Sequence, residues 1–246
     1  NRVSDNKIFT FNTIYNETVN DHMTLNGGVT YQLQSSEHYT EVNDLLGGDF
    51  YVDQNKYADT STVNAGNISA IQNDLNNPDR ILHEGDKYGY DYVAHISKAS
   101  AWLQTVYKYD RVDFFFAANT AANTFYRTGN YRNGIFPDDS YGDSRKQHFF
   151  SGGFKTGITY KMNGRNYFYI NGAYFSKAPE FGDSYLSPTT RNTVADNLRN
   201  ENIQSVEGGY LLRAPRLKVR LTGYYTAFTE QTRTLRFLLS GNATSF

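Results

Sequence analysis

The sequence predicts an all-β chain whose antiparallel strands form part of a transmembrane β-barrel. Apolar and polar residues alternate with period two, the alternating runs are long, and the connections between them are by turns very short and very long. Period-two alternation sends successive side chains to opposite faces of a strand. Over 22–34 one face reads Met23, Leu25, Gly27, Val29, Tyr31 and Leu33, and the other Thr24, Asn26, Gly28, Thr30, Gln32 and Gln34. Over 216–226 the split sets Leu217, Val219, Leu221, Gly223 and Tyr225 against Lys218, Arg220, Thr222, Tyr224 and Thr226. Over 149–161 it sets Phe150, Phe154, Ile158 and Tyr160 against Ser151, Lys155, Thr159 and Lys161.

In chain order the pattern predicts about eight strands, at 7–18, 22–34, 88–109, 111–126, 148–161, 165–176, 203–213 and 216–228. Most exceed the ~9–11 residues with which a tilted strand crosses a bilayer. Strands of globular proteins are nearer ~5–6 residues. Val19-Asn20-Asp21, the neighbourhood of Asp110, Met162-Asn163-Gly164 and Ala214-Pro215 read as tight turns, where Asn, Gly and Pro supply the backbone geometry. Between them run long connections at 35–87, 127–147 and 177–202. Short turns on one side and long loops on the other are the pattern of outer-membrane barrels, which predicts a meander of neighbouring strands. A structureless loop of about 50 residues would be unusual in a compact soluble domain. Tyr88, Tyr90 and Tyr92 near one end of their strand and Tyr107 and Tyr109 near the other read as two interfacial girdles, or as the strand propensity of tyrosine.

Composition fits that class. The 246 residues suffice for one all-β domain, and 21 Tyr and 17 Phe stand against 1 Trp in a chain that is only 39% hydrophobic. No run approaches the ~18 apolar residues of a membrane-crossing helix. The absence of cysteine removes disulfides, zinc-thiolate clusters and thiol nucleophiles. A formal charge of -1 with interspersed signs offers no basic footprint, so no nucleic-acid partner is expected. The start at Asn1 and the polar ending Ser-Gly-Asn-Ala-Thr-Ser-Phe lead to the expectation of an internal piece of a longer chain.

Enzymatic signals are sparse. His22, His38, His83, His95 and His148 lack the spacing of helical metal ligands, and neither a Gly-x-Ser-x-Gly elbow nor a phosphate loop is present. No catalytic residue, metal or cofactor is therefore expected. Asp138, Asp139 and Asp143 could offer oxygen ligands, but lack the order of a calcium loop and read as a solvated turn beside Pro137 and Gly142. Candidate ligand contacts are loop residues that combine aromatic faces with polar groups: Phe50, Tyr51, Tyr57, Tyr131, Phe136, Tyr141, Phe181 and Tyr185. The competing reading is that these rings fold the loops upon themselves.

The order Ser176-Lys177-Ala178-Pro179-Glu180, then Asn197-Leu198-Arg199-Asn200-Glu201, then Ser205-Val206-Glu207-Gly208-Gly209-Tyr210 resembles a signature of TonB-dependent outer-membrane receptors. Lys177 stands where Arg is common in that pattern, Ala195-Asp196 where Asn-Pro is, and Asn200 where Pro is. The stretches 84–92 and 141–144 resemble barrel segments of such receptors from Bacteroides-type bacteria. The resemblance implies a barrel of about 22 strands around a plugged lumen. Residues 1–246 would supply about eight of its strands, and the plug and the TonB-contacting segment would lie outside them. It further implies the outer membrane as location, nutrient uptake driven through TonB, and lipid, plug, TonB and an unidentified nutrient as partners. Lys155, Lys161, Lys218 and Arg220 would then face the lumen or plug, and Leu217, Val219 and Leu221 the lipid. Two alternatives stay open: a self-contained small outer-membrane barrel with a structural or adhesive role, and a soluble carbohydrate-binding sandwich with turns every ~8–12 residues.

Overall fold

The computed structural model describes residues 1–55, 58 and 68–233. In chain order its strands are β1 (Arg2–Asn20), β2 (Met23–Glu41), β3 (Tyr51–Val52), β4 (Ile81–Leu82), β5 (Lys87–Lys108) and β6 (Val112–Gly129). They continue with β7 (Gly142–Asp143), β8 (Gln147–Lys161), β9 (Asn166–Lys177), β10 (Glu201–Arg213) and β11 (Lys218–Thr229). One short helix, α1 (Phe181–Ser184), follows β9. The eight long strands pair antiparallel with their neighbours in the order β1-β2-β5-β6-β8-β9-β10-β11, β7 adds to β6, and β3 and β4 form a separate pair. Among the described residues, β1 and β11 each have a sheet neighbour on one side only.

Local chemistry explains the tight turns. Asn20 Oδ1 accepts from the His22 amide at 2.9 Å, and Asn163 Oδ1 accepts from the amides of Arg165 and Asn166, both at 2.9 Å. Asparagine side chains mimic a backbone turn in this way. At Pro215 the hairpin closes between the Ala214 amide and the Leu217 carbonyl at 2.8 Å.

Residues paired across neighbouring strands point to the same face, so the register carries each strand's alternation across the sheet. One row joins Phe11, Tyr31, Ala99, Ala122 and Phe150. A lower row joins Glu17, Leu25, Thr105, Phe116, Thr156, Gly172, Val206 and Tyr225. The adjacent positions form the opposite row, Asn16, Asn26, Gln104, Ala117, Lys155, Ala173, Ser205 and Thr226. Leu221 aligns with Tyr210, Phe168 and Tyr160 on the apolar face, and Arg220 with Leu211, Tyr167 and Lys161 on the polar one. The three alternating runs read from sequence thus share one apolar face.

That face is uncovered: Phe150 is 74% exposed, Leu221 63% and Tyr225 68%. Packing is instead concentrated at the loop end of the polar face, where Tyr92, Ala94 and Phe125 are buried under the connections. Tyr92 therefore departs from the girdle expectation. It stands on the polar face opposite His38 and Gly129, with its ring 5.0 Å from His38 and 6.4 Å from Phe181.

Candidate ligand-binding loops

The long connections fold back over the polar face at one end of the sheet. Gly129 makes the closest approach possible, because a Cβ there would lie 1.8 Å from the Ser140 carbonyl oxygen and 2.5 Å from Arg127 Nη1. Gly129→Ala is expected to push the 130–144 segment off the strand end. Faster hydrogen exchange at the Asn133 and Ser144 amides, with strand content unchanged, would report it.

Arg127 sits beneath that approach and is only 2% exposed. Its Nε donates to the Pro188 carbonyl at 2.6 Å, and its Nη1 to the Ser140 carbonyl at 2.8 Å and Asn192 Oδ1 at 2.5 Å. The guanidinium also lies 5.2 Å from the Tyr92 ring centroid, within cation-π range. One side chain thereby ties β6 to two loops. Ser144 continues the tie: its hydroxyl accepts from the Arg127 amide at 2.9 Å and lies 2.8 Å from the Tyr185 hydroxyl.

A second hub forms in the 42–86 connection. Arg80 Nη2 lies 2.5 Å from Asp53 Oδ2, 2.7 Å from the Lys87 carbonyl and 2.9 Å from the Tyr131 hydroxyl. Burial works against the Arg80 charge, but hydrogen bonds to Asp53 and Tyr131 outweigh it and its pKa is raised. Burial likewise raises the Tyr131 phenol. Asp53 is buried, and its Oδ1 accepts from Asn73 Nδ2 at 2.8 Å and the Gly89 amide at 3.0 Å, which docks the loop on the start of β5.

Nearby, hydrogen bonds from Gln72 at 2.8 Å and Gln54 at 2.9 Å lower the pKa of Asp79. A depressed folded pKa makes a stabilising contribution that is present above the unfolded value of about 3.9 and lost as pH falls through the folded value. Protection of the Asp79 amide, which donates to Gln72 Oε1 at 2.8 Å, is therefore expected to hold at neutral pH and fall below that range. Asp79→Asn should flatten this acid response in a hydrogen-exchange pH series.

The eight aromatic residues singled out by sequence do not converge on one pocket. Phe181 and Tyr185 meet at 4.8 Å and both pack on Phe125, at 6.0 and 6.4 Å. Tyr185 is fully buried, which corrects its expected role as a ligand contact: its ring and hydroxyl are spent on Phe125 and Ser144. Tyr131 belongs to the Arg80 hub, Phe136 lies 4.7 Å from the Arg191 guanidinium, and Tyr51 meets Tyr88 edge-on at 5.7 Å. Phe50 and Tyr141 are solvent-exposed. Tyr57 lies outside the described residues. The acidic trio is likewise dispersed, with Asp138 3.6 Å from Arg132, Asp139 accepting from the Thr193 amide at 3.1 Å and Asp143 from the Thr128 hydroxyl at 2.6 Å. Among the described residues no group of three His, Cys, Asp or Glu could hold a metal.

A separate cleft of about 160 Å³ is lined by Lys177, Glu180, Asp183, Arg199, Glu201 and Gln231. Lys177 and Glu180 pair there at 2.8 Å, and this hydrogen bond holds the Glu180 carboxyl below its ordinary value. Sequence reading missed Arg127, Arg80 and Asp53. The available signal for Arg127 was its position beside Gly129, where the strand alternation stops.

An all-β antiparallel sheet, exposing one apolar face and braced by loops over the other, is the class that fold and geometry define. No family model matches the sequence, and no curated protein matches it either.

Proposed function

We propose that this chain is part of the wall of an outer-membrane β-barrel of the TonB-dependent receptor type. Its apolar face meets lipid, its polar face lines the lumen or meets a plug, and its long loops form part of a nutrient-binding entrance. The observation that carries the reading is the segregation of charge between the faces. From the row of Phe11 down to the row of Leu221, Glu17 is the one charge on the apolar side among the described residues, at the hairpin end of β1. Lys155, Glu207 and Asp113 occupy the polar side over the same rows, and Lys161 and Arg220 the position just below them.

Dimensions support the same reading. Phe150 to Tyr160 is ten steps along β8, and ~3.4 Å per residue at a tilt of about 40° gives an apolar band about 26 Å tall, against ~25 Å for such barrels. Among the described residues β1 and β11 have one-sided edges. Since each unpaired backbone group costs several kcal/mol in hydrocarbon, this reading requires further strands beside them, whereas a small barrel would require them to pair with each other. The loops braced by Arg127 and Arg80 would hold Phe50 and Tyr141 toward incoming solute. The receptor type itself rests on the resemblance of 176–210.

Adjacent positions on β11 test the assignment. The chain has no native cysteine, so single cysteines at Val219 and Lys218 can each carry a spin label without interference. In the intact protein in liposomes, the label at 219 is expected to be relaxed by a lipid-soluble quencher and the label at 218 by a water-soluble one. The reverse order would sink the lipid-facing assignment. Heat-modifiable gel mobility of residues 1–246 alone would favour a self-contained small barrel instead.

A further inference from the structure

We propose that the outward face carries a binding site for an anionic phospholipid, with its headgroup between Lys7 and Lys146 and its acyl chains in the slot below; this rests on the membrane reading above. Lys7, Ser35, His95 and Tyr126 form one cross-strand row over β1, β2, β5 and β6. Lys146, next to the Phe125 partner Gln147, closes that row with its Nζ 5.1 Å from the Tyr126 ring centroid. The His95 and Tyr126 rings stack at 4.5 Å between the two lysines.

A cavity of about 580 Å³ opens along this row, and its wall holds Lys7, Lys146 and His95 but no carboxylate. Among the described residues neither lysine makes an ion pair. Acidic groups stand one row outward: Glu37 is paired with Lys87, while Asp5 and Asp143 keep their charge and accept from the hydroxyls of Tyr39 at 3.2 Å and Thr128 at 2.6 Å. The cavity wall itself therefore presents two lysines with no carboxylate among its lining residues, at the upper border of the apolar rows. Lysine binds phosphate as a point charge, while a neutral headgroup gains little from it.

Below the cations a second groove of about 430 Å³ has a floor of Ala99, Ala101 and Ala122, with Tyr31 and Phe150 as walls. Small side chains along the centre and rings at the rims make a slot along the strand direction. The three rows from Lys7 to the row of Ala101 descend ~20 Å along the strands at ~3.4 Å per residue, and strand tilt brings this to the ~15 Å of one leaflet's hydrocarbon. Across the sheet, four inter-strand steps separate the two lysines by about 19 Å at ~4.8 Å each. That width admits a two-chain phospholipid between the cationic rims, with both lysines attracting its phosphate across the headgroup rather than both touching it.

The test is native mass spectrometry of the intact protein in detergent with phosphatidylglycerol or phosphatidylcholine. Wild type is expected to retain phosphatidylglycerol roughly thirtyfold more strongly, as two lysines near an anionic headgroup would give at about 1 kcal/mol each. Lys7→Gln with Lys146→Gln should remove that preference while leaving phosphatidylcholine retention unchanged. Ala122→Phe should weaken retention of both lipids with the lysines intact. Equal retention of both lipids by wild type, an unchanged preference in the double variant, or displacement by inorganic phosphate alone would overturn the site. Retention of neither lipid would overturn the membrane reading and the site together.

Discussion

Replacing Arg127 with alanine is expected to release two loops at once, with a local destabilisation of about 3 kcal/mol from three acceptors that lose their donor at roughly 1 kcal/mol each. The acceptors are the carbonyls of Pro188 and Ser140 and Asn192 Oδ1, which lie on connections far apart in the chain. The buried guanidinium makes no ion pair among the described residues, so the usual compensation for a buried charge is supplied by carbonyl dipoles and the Tyr92 ring. Arg127→Lys keeps the charge but loses the planar fork that reaches several acceptors, and should recover only part of the loss. Hydrogen exchange at Asn192 and Ser144 is the readout, with about a hundredfold acceleration expected for a loss of that size. Strand amides of β8 and β9 should be unaffected. Unchanged loop protection in Arg127→Ala would mean that the aromatic contacts of Phe181 and Tyr185 hold the loops alone.

The sheet was legible because alternation and turn chemistry are both local. The lower ends of β8 to β11 fall within a residue or two of the expected boundaries, since Asn163, Gly164 and Pro215 end the pattern abruptly. The upper ends were not legible. β2 runs on from Gln34 to Glu41, where Ser36 and Thr40 are buried and Glu37 pairs with Lys87, so neighbours from other elements satisfy residues that read as loop. The 35–87 connection likewise contains β3 and β4, each only two residues long, too short to leave a periodic trace. The aromatic choice found rings that do brace the loops, Phe181, Tyr185 and Tyr131, but could not separate a ring facing solute from a ring facing another loop. Contacts such as Arg127 to Pro188 span 61 residues, and no spacing rule encodes them.

Two hubs at the loop end and an uncovered face elsewhere divide the molecule into parts with different tolerances. Near Arg127 and Arg80, geometry is fixed by hydrogen bonds and ring packing. On the apolar face the side chains project from the sheet with no covering layer among the described residues. Changes of shape should therefore be costly in the first region and cheap in the second, whereas charge should be costly on the apolar face once it lies against hydrocarbon.

Neighbouring residues on β10 make that contrast measurable. Val206 lies on the apolar face in the row of Phe116 and Tyr225, and Ser205 lies on the polar face in the row of Lys155 and Thr226. Val206→Arg is expected to cost ~2–4 kcal/mol in a bilayer if the position lies near the midplane. Ser205→Arg should cost far less, because it faces a surface that already carries Lys155. A charge at Val206 would also disrupt a soluble sandwich, so a third substitution separates the two cases. Val206→Phe enlarges the side chain, and overpacking a close-packed core typically costs 1–3 kcal/mol. Fluid lipid has no fixed cavity to overfill, so in a bilayer Val206→Phe should be neutral or mildly stabilising. Denaturant titrations of the intact protein in liposomes are expected to rank Val206→Phe and Ser205→Arg near wild type and Val206→Arg well below. If Val206→Phe falls with Val206→Arg, the apolar face packs against protein and the membrane reading fails.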